Sequence, residues 1–302
     1  MPLHLTPLSR RHFLRSAALA AGALVSVREL FAADPVAGSR WALLSDTHVA
    51  ANPDTLAREV NMAAHLQSVV KQVLAAGTPP AGLFINGDCA LKAGFPDDYT
   101  TFTSLVKPLV EARLPVHMTL GNHDDRGNFS KALATAKDVA RPVEGKHVSI
   151  VKSAHANWFL LDSLDQVDKT PGKLETPQRE WLTRALDENK DKPALVMVHH
   201  DPGLRPDQKS FGLLDANDLY EILLPRAHVK ALLFGHTHRW QLDERDGLHL
   251  INLPAVSYAF NKMQPTGWVD CALTPAGATL ELRANDGQHA AHGKKTQLKW
   301  RA

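Results

Sequence analysis

Five short polar segments of this 302-residue chain carry the residue types that hold transition-metal ions in proteins. They are rich in aspartate, asparagine and histidine, and they are spread over the first four-fifths of the sequence. Carboxylate and imidazole ligands suit zinc, iron, manganese or cobalt, and a thiolate is not needed for any of these ions. The candidate ligands are Asp46, His48, Asp88, Asn122, His199, His236 and His238.

Two of the segments place a pair of candidate ligands one residue apart. Asp46 and His48 flank a threonine, and so do His236 and His238. We expect both segments to be extended, so that alternate side chains point to the same side and each pair faces one cavity. Glycines in three of the segments would let the backbone turn sharply beside the ligands, at Gly87, Gly121 and Gly235.

Each polar segment directly follows a short apolar run that predicts a buried strand. These runs lie at 41–44, 83–85, 115–120, 194–198 and 229–234. Amphipathic stretches between them predict helices, at 56–76, 99–113, 128–138, 177–188 and 215–224. Strand–helix alternation favours an α/β fold, in which ligands bind at the carboxyl ends of the strands. The five segments are therefore expected to meet in one crevice.

The last quarter of the chain is rich in strands and predicts a second sheet. Further strands are expected at 147–151 and 158–161, as a hairpin, and at 248–253, 267–273 and 278–283. The fold class is therefore α/β, with a two-sheet β-sandwich flanked by helices. We expect one domain over residues 39–302.

The first 38 residues are typical of a signal peptide and a short linker. Arg10-Arg11, followed by Phe13-Leu14, precedes a mild apolar run that is too short to span a bilayer. The pattern resembles a twin-arginine signal, which implies the twin-arginine export machinery as a partner and a periplasmic or extracellular location. No cysteine follows the run, so no membrane anchor is expected after processing. The alternative is a basic amphipathic helix of a cytosolic protein.

The composition excludes several classes of protein. Hydrophobic residues make up 44% of the chain and charged residues 22%, which indicates a sizeable core rather than disorder. The formal net charge is only +2, and part of it lies in the arginine-rich first segment, so nucleic acid is not expected as a partner. Cys89 and Cys271 are too few for a disulfide framework. Two buried free thiols are expected, with a single bridge as the alternative.

The order and spacing of the polar segments resemble the five motifs of the calcineurin-like metallophosphoesterases, over roughly residues 41–238. The motifs read Asp46-x-His48, Gly87-Asp88, Gly121-Asn122-His123-Asp124, His199 and Gly235-His236-x-His238. The resemblance implies a four-layer fold and two divalent or trivalent ions, of manganese, iron, zinc or cobalt. By position, the first ion would be held by Asp46, His48, Asp88 and His238. The second ion would be held by Asp88, Asn122, His199 and His236.

This resemblance also implies a reaction, the hydrolysis of a small phosphate ester by a metal-bound hydroxide. Asp88 would bridge the ions, and His123 would donate to the phosphate or to the leaving group. Three further residues are candidates for positions behind the ligands, where they would orient them: Asp124, Asp162 and His200.

One further stretch favours a phosphodiester as the substrate. Gly172-Lys-Leu174, with Gln178 and Trp181-Leu182, resembles the cyclic-nucleotide and glycerophosphodiester phosphodiesterase branch. Leu91 stands where purple acid phosphatases have a tyrosine ligand, so a tyrosinate-bound ferric ion is not expected. The alternatives are a broad-specificity periplasmic phosphomonoesterase and a non-catalytic, metal-binding interaction scaffold. Loops at 89–100, 201–213 and 254–266 are expected to set the substrate preference.

Overall fold

The structure is a computed structural model, and it describes residues 40–133, 142–203 and 211–302. The predicted signal peptide at 1–38 lies outside the described residues, as does the end of the helix predicted at 128–138. Within the described ranges, no helix has the length and apolar character needed to cross a membrane.

The described residues form two six-stranded sheets and one small hairpin, flanked by helices. The strands are β1 Arg40–Ser45, β2 Leu56–Ala57, β3 Val60–Asn61, β4 Gly82–Asn86, β5 Val116–Thr119, β6 Ser149–Lys152, β7 Asn157–Leu160, β8 Ala194–Met197, β9 Val229–Phe234, β10 Gln241–Arg245, β11 Leu248–Asn252, β12 Gly267–Thr274, β13 Gly277–Ala284 and β14 Lys295–Lys299. The helices are α1 Met62–Leu74, α2 Pro96–Glu111, α3 Arg126–Ala132, α4 Thr176–Glu188 and α5 Ala216–Leu223.

The strands that precede the polar segments lie side by side in parallel. In the first sheet, ordered β14-β13-β12-β1-β4-β5, strands β1, β4 and β5 are parallel. In the second sheet, ordered β10-β11-β9-β8-β7-β6, strands β7, β8, β9 and β11 are parallel. The carboxyl ends of parallel strands share an edge of the sheet, so this topology positions the site.

The prediction that the strand-rich last quarter forms a second sheet is wrong, because its strands are divided between the two sheets. Strands β12 to β14 extend the first sheet through antiparallel pairing of β12 with β1, and β10 and β11 extend the second sheet. Strands β10 and β14 are not predicted from the sequence, because both are short and carry exposed polar residues at alternate or successive positions.

Alternating side chains build a layered core. Trp41 and Leu43 on β1 pack between the two sheets, where they meet apolar residues such as Trp158 and Leu195 of the second sheet. Their neighbours on β1 face the other way, towards α1 and α2, and the second sheet packs its outer face against α4 and α5. The expected fold class, two sheets flanked by helices, is confirmed.

The helix predicted at 56–76 begins later than expected. Residues 56–61 form the β2–β3 hairpin, and α1 starts at Met62, because Asn61 caps it by accepting a hydrogen bond from the Ala64 N–H at 2.7 Å. Cys89 and Cys271 are both buried and free, which confirms the expected thiols.

Candidate metal centre

The candidate ligands lie where the backbone adopts an uncommon conformation. Five of the seven have positive φ, between 46° and 67°: Asp46, His48, Asp88, His236 and His238. The expectation of extended segments is therefore wrong, although Asp46 and His48 do share one cluster of ligand atoms and His236 and His238 do line one cavity. Non-glycine residues rarely occupy this left-handed region, and those that do concentrate at functional sites. The fold is holding these side chains at some conformational cost.

One group of candidate ligands gathers around Asp46. The Oδ1 atom of Asp46 lies 3.3 Å from His238 Nε2 and 4.0 Å from His48 Nε2. The ligand atoms of these three buried residues all lie within 4.8 Å of one another, a spacing that can hold a metal ion.

A second group gathers around Asp88 and touches the first. Asp88 Oδ2 lies 3.3 Å from His199 Nε2 and 3.6 Å from His48 Nε2. Asp88, His199 and His236 form one such cluster, and Asp88, His48 and His123 form another. Asp88 therefore lies between the two groups, as a bridging ligand must.

Main-chain carbonyls fix the orientation of the imidazoles. The Nδ1 atoms of His48, His199 and His238 donate to the carbonyls of Leu91, Asn86 and Tyr258, at 3.2, 2.8 and 2.5 Å respectively. Metal-binding histidines commonly donate their second ring nitrogen to a carbonyl in this way. In the neutral form of each ring, Nε2 then keeps a lone pair that faces the cluster.

Two of these lone pairs point at each other. His48 Nε2 and His238 Nε2 are 3.0 Å apart, and both rings already donate through Nδ1. Two neutral imidazole nitrogens at this distance repel each other unless a cation or a proton lies between them. This arrangement fits a metal ion bound by both rings.

Asn122 and His199 supply further unpartnered atoms. Neither the amide oxygen nor the amide nitrogen of Asn122 has a hydrogen-bond partner among the described residues, and the same is true of His199 Nε2. Buried polar atoms are normally satisfied, so each exception calls for a ligand or a water molecule. Gly121 allows this close assembly, because a Cβ atom there would collide with the Asp88 carboxylate and with His199. The donor set therefore fits two metal ions.

The electrostatics of the cluster also favour a cation. Burial raises the pKa of Asp46, but the imidazoles of His238 and His199 outweigh it and bring that pKa to about 2. Burial lowers the pKa of His199, yet the carboxylates of Asp88 and Asp46 raise it to about 10. Burial also lowers the pKa of His48 to about 4, so that this ring is neutral at pH 7. Two ionised carboxylates thus lie in a buried space, where the neutral ring of His48 and the cationic ring of His199 face them.

His123 lies beside the clusters with one nitrogen anchored. Its Nδ1 atom donates to the carbonyl of Lys92 at 2.6 Å and lies 3.4 Å from Asp168 Oδ1. This leaves Nε2 for a substrate, and His123 lines the cavity above the clusters. Asp168, whose N–H donates to the carbonyl of Asn122 at 2.7 Å, is not anticipated from the sequence, because no motif surrounds it.

Asp124 is fully buried and joins the loops that follow β4 and β5. Its carboxylate accepts hydrogen bonds from the N–H groups of Cys89 and Gly121, at 3.1 and 2.9 Å, and from the Tyr99 hydroxyl at 3.0 Å. Burial and the nearby charge of Asp88 raise the pKa of Asp124 to about 6. Asp124 holds the two ligand-bearing loops together.

His200 and Asp162 differ in their distance from the ligands. The buried ring of His200 packs 4.7 Å from the ring of His236, and its Nδ1 pairs with the Ser163 hydroxyl at 2.7 Å. Asp162 is also buried, but its carboxylate binds Arg126 and the N–H groups of His147 and Leu164 rather than any candidate ligand.

A cavity of about 340 Å³ opens above the clusters. Two of the predicted loops reach it, since Phe211 comes from 201–213 and Tyr258 and Phe260 come from 254–266. Among the described residues that line the cavity, none comes from 89–100 or from the 172–182 stretch. Arg239 lines the cavity as well and is missed by the sequence analysis, although it directly follows the last histidine motif.

The comparison with known families agrees with this geometry. The profile of the calcineurin-like phosphoesterases matches residues 39–240. The chain belongs to this family. Its membership and the aspartate–histidine clusters make the protein a metal-dependent phosphoester hydrolase.

Several bacterial phosphodiesterases resemble the chain over most of its length. The 3′,5′-cyclic adenosine monophosphate phosphodiesterase CpdA of Pseudomonas aeruginosa is 30% identical over 221 residues, which are 72% of this chain and 76% of that protein. CpdA of Escherichia coli K12 is 28% identical over 260 residues, 83% of this chain and 89% of that protein.

Solved structures share the fold at low sequence identity. A dimetal phosphatase from Danio rerio superposes with a TM-score of 0.65 at 13% identity, covering 88% of this chain and 100% of that chain. The purple acid phosphatase PPD1 of yellow lupin gives a TM-score of 0.63 at 15% identity, over 86% of this chain and 53% of that one.

Proposed function

We propose that this protein is an exported phosphodiesterase with two metal ions, acting on small phosphodiesters of the cyclic-nucleotide type. The observation that carries the proposal is the position of Asp88 between two groups of ligands. In the second group, His199 Nε2 and the amide atoms of Asn122 have no hydrogen-bond partners among the described residues. The first site comprises Asp46, His48, Asp88 and His238. The second site comprises Asp88, Asn122, His199 and His236.

Side chains of the protein bind the substrate, supply a proton and support the loops of the site. When bound, the two ions would polarise the phosphoryl oxygens and lower the pKa of water at the site. His123 faces the substrate with Nε2, while the Lys92 carbonyl and Asp168 hold the other side of its ring. From this position it can hydrogen-bond to the phosphate or protonate the leaving oxygen. Asp124 keeps the loops that carry Asp88 and His123 in register.

The charge of the cavity supports a diester. Arg239 is the only lysine or arginine among the described cavity residues, and it has no hydrogen bond or ion pair within the described ranges. One guanidinium matches the single negative charge of a phosphodiester better than the double charge of a monoester, particularly because the carboxylate of Asp201 also lines the cavity.

The apolar lining supports an ester with a sizeable organic group. Phe211, Tyr258 and Phe260 contribute aromatic surface to the cavity wall, which suits a flat group such as a nucleobase. Two of the bacterial relatives are named as 3′,5′-cyclic adenosine monophosphate phosphodiesterases. We therefore place a 3′,5′-cyclic nucleotide first among the candidate substrates.

A substrate panel on the metal-free protein tests this proposal. Residues 39–302 would be stripped with a chelator, reloaded separately with manganese, zinc, iron or cobalt, and assayed on 3′,5′-cyclic AMP, bis-p-nitrophenyl phosphate and p-nitrophenyl phosphate. We expect hydrolysis only after reloading, with both diesters preferred over the monoester. A preference for the monoester would instead identify a phosphomonoesterase. Two bound ions without any hydrolysis would identify an interaction scaffold.

The proposed export is tested separately. The full chain would be expressed in bacteria with and without a twin-arginine translocase, next to a variant with both Arg10→Lys and Arg11→Lys. We expect the wild-type chain in the periplasm only where the translocase is present, and the double variant retained inside. Equal export without the translocase would contradict the proposed route.

A further inference from the structure

The connection between β11 and β12 runs directly beside the first site. Two of its N–H groups bond to the segment that carries the ligands: Val256 donates to the Ser45 carbonyl at 2.9 Å, and Ser257 donates to the Asp46 carbonyl at 3.2 Å. The next residues, Tyr258 to Phe260, are therefore held at a fixed place next to the ligands. Phe260 is nevertheless 54% exposed, so burial in the hydrophobic core does not account for an aromatic residue at this position.

Two aromatic rings of this connection stack on the two histidines of the first site. The Tyr258 ring is stacked on His48, with centroids 5.2 Å apart and planes at 25°. The Phe260 ring is stacked on His238, with centroids 4.2 Å apart and planes at 21°. The Tyr258 carbonyl also accepts the hydrogen bond from His238 Nδ1. The Leu91 carbonyl does the same for His48, so each imidazole is fixed both in its plane and in the direction of its Nε2 atom.

The outer side of this pair is supported by the β2–β3 hairpin. The Arg58 guanidinium lies 4.9 Å from the Phe260 ring centre and 5.7 Å from that of Tyr258, within the range of a cation–π contact. Next to Arg58, Glu59 pairs with Lys262 at 3.1 Å, but both side chains are exposed and the pair adds little stability. The rings thus lie between the histidines and a cation from the hairpin.

The second site has no comparable support among the described residues. The rings recorded around His199 and His236 are those of each other and of His200, and the pairs that involve His199 meet edge to face. His236 is held by the main-chain carbonyl of Phe211, at 2.7 Å from its Nε2. Aromatic stacking on the ligands is therefore a feature of the first site.

We propose that Tyr258 and Phe260 form an aromatic clasp, a pair of positioning residues that holds His48 and His238 in the ligating orientation before the ion arrives. The inference rests on the proposed metal sites. Ordering two imidazoles costs rotational freedom, and a ring that is already fixed does not incur this cost when the ion binds. The clasp therefore strengthens binding of the first ion, whereas the histidines of the second site are held by main-chain carbonyls without a stacked Tyr or Phe ring among the described residues.

The clasp is tested by metal affinity. In an Asn122→Ala background, which weakens only the second site, metal-free protein would be titrated with Co²⁺ and the dissociation constant read from the visible absorption of the bound ion. We expect Tyr258→Leu and Phe260→Leu each to weaken Co²⁺ binding about 2- to 10-fold, the range expected for loss of one aromatic pair. Tyr258→Phe and Phe260→Tyr keep a ring and should restore the parent's affinity.

Phe211→Leu is the matched control for the clasp. Phe211 is as exposed as Phe260, lines the same cavity and touches a ligand only through its main-chain carbonyl, which the substitution keeps. We expect its Co²⁺ affinity to equal that of the parent. Unchanged affinity in both leucine variants would overturn the clasp and leave the metal sites intact. Failure of the wild-type chain to bind Co²⁺ would overturn the proposed function and the clasp with it.

Discussion

Two buried polar clusters of this protein look alike in the sequence and differ in the structure. Around Asp162, the carboxylate accepts from Arg126 and from two N–H groups, and Gln178 bonds to both the N–H and the carbonyl of Asp162 at 2.8 Å. Around Asp88, by contrast, Asn122 and His199 leave atoms without partners in the described residues. A saturated cluster holds a fold together, and an unsaturated one is prepared for a ligand.

The largest effect is expected at the centre of the unsaturated cluster. Asp88→Ala removes the ligand shared by both proposed sites, so both ions should be lost from the purified protein. Loss of one stabilising donor at an active site costs about 10²–10³-fold in rate, and we expect at least that here. Metal analysis and turnover of bis-p-nitrophenyl phosphate would measure both effects. A variant that keeps both ions and full turnover would show that the cluster around Asp88 is not the ligand site that distinguishes it from the cluster around Asp162.

The next largest effect separates chemistry from metal binding. His123→Ala should retain both ions, because His123 belongs to neither proposed ligand set, and should lose roughly 10²–10⁴-fold in kcat, as expected for a lost proton donor. Much of this loss should disappear with a substrate whose leaving group is a weak base, such as p-nitrophenol. An equal loss for good and poor leaving groups would argue against His123 as the proton donor.

The saturated cluster should respond in stability rather than in metal binding. Asp162→Ala leaves Arg126 and two N–H groups without their acceptor, which we expect to lower the free energy of unfolding by about 3 kcal/mol. Denaturant unfolding of the metal-free protein would measure this change. The metal content should stay at two ions per chain. Loss of an ion with unchanged stability would show that the two clusters are less distinct than their hydrogen bonds indicate.

The smallest effect is expected at the cavity wall. Arg239→Gln removes a guanidinium that has no ion pair within the described ranges. Because a hydrogen bond to a charged group contributes about 1.5–3 kcal/mol, KM for a diester should rise about tenfold or more while kcat changes little. Arg239→Lys keeps the charge and should recover part of the affinity. A fall in kcat at constant KM would place Arg239 in the chemical step instead of in substrate binding.

The positions of the ligands follow from the sequence because two independent patterns agree there. Apolar runs such as 83–85 and 229–234 predict strands, and the polar motifs begin where those runs end. Parallel pairing then brings the ends together, as it does for β1 with β4 and for β8 with β9. Strand position is a local property of the chain, so it can be read from the residues alone.

The parts of the site that depend on tertiary contacts could not be predicted. The left-handed backbone of Asp46 and Asp88 is imposed by the surrounding loops, since neither side chain favours it strongly. The stacking of Tyr258 and Phe260 depends on how an irregular connection crosses the site, and irregular segments carry no periodicity. The contact between Asp168 and His123 also depends on the path of an irregular loop, because the two residues are far apart in the sequence.

The most direct test of the central claim is to locate the ions. Crystals of the Zn²⁺-loaded protein, measured at the zinc edge, should show two anomalous peaks, both about 2.0–2.2 Å from carboxylate oxygens of Asp88. One peak should also contact His48 and His238, and the other Asn122, His199 and His236. A single peak, or two peaks that do not share Asp88, would contradict the assignment of a two-metal centre.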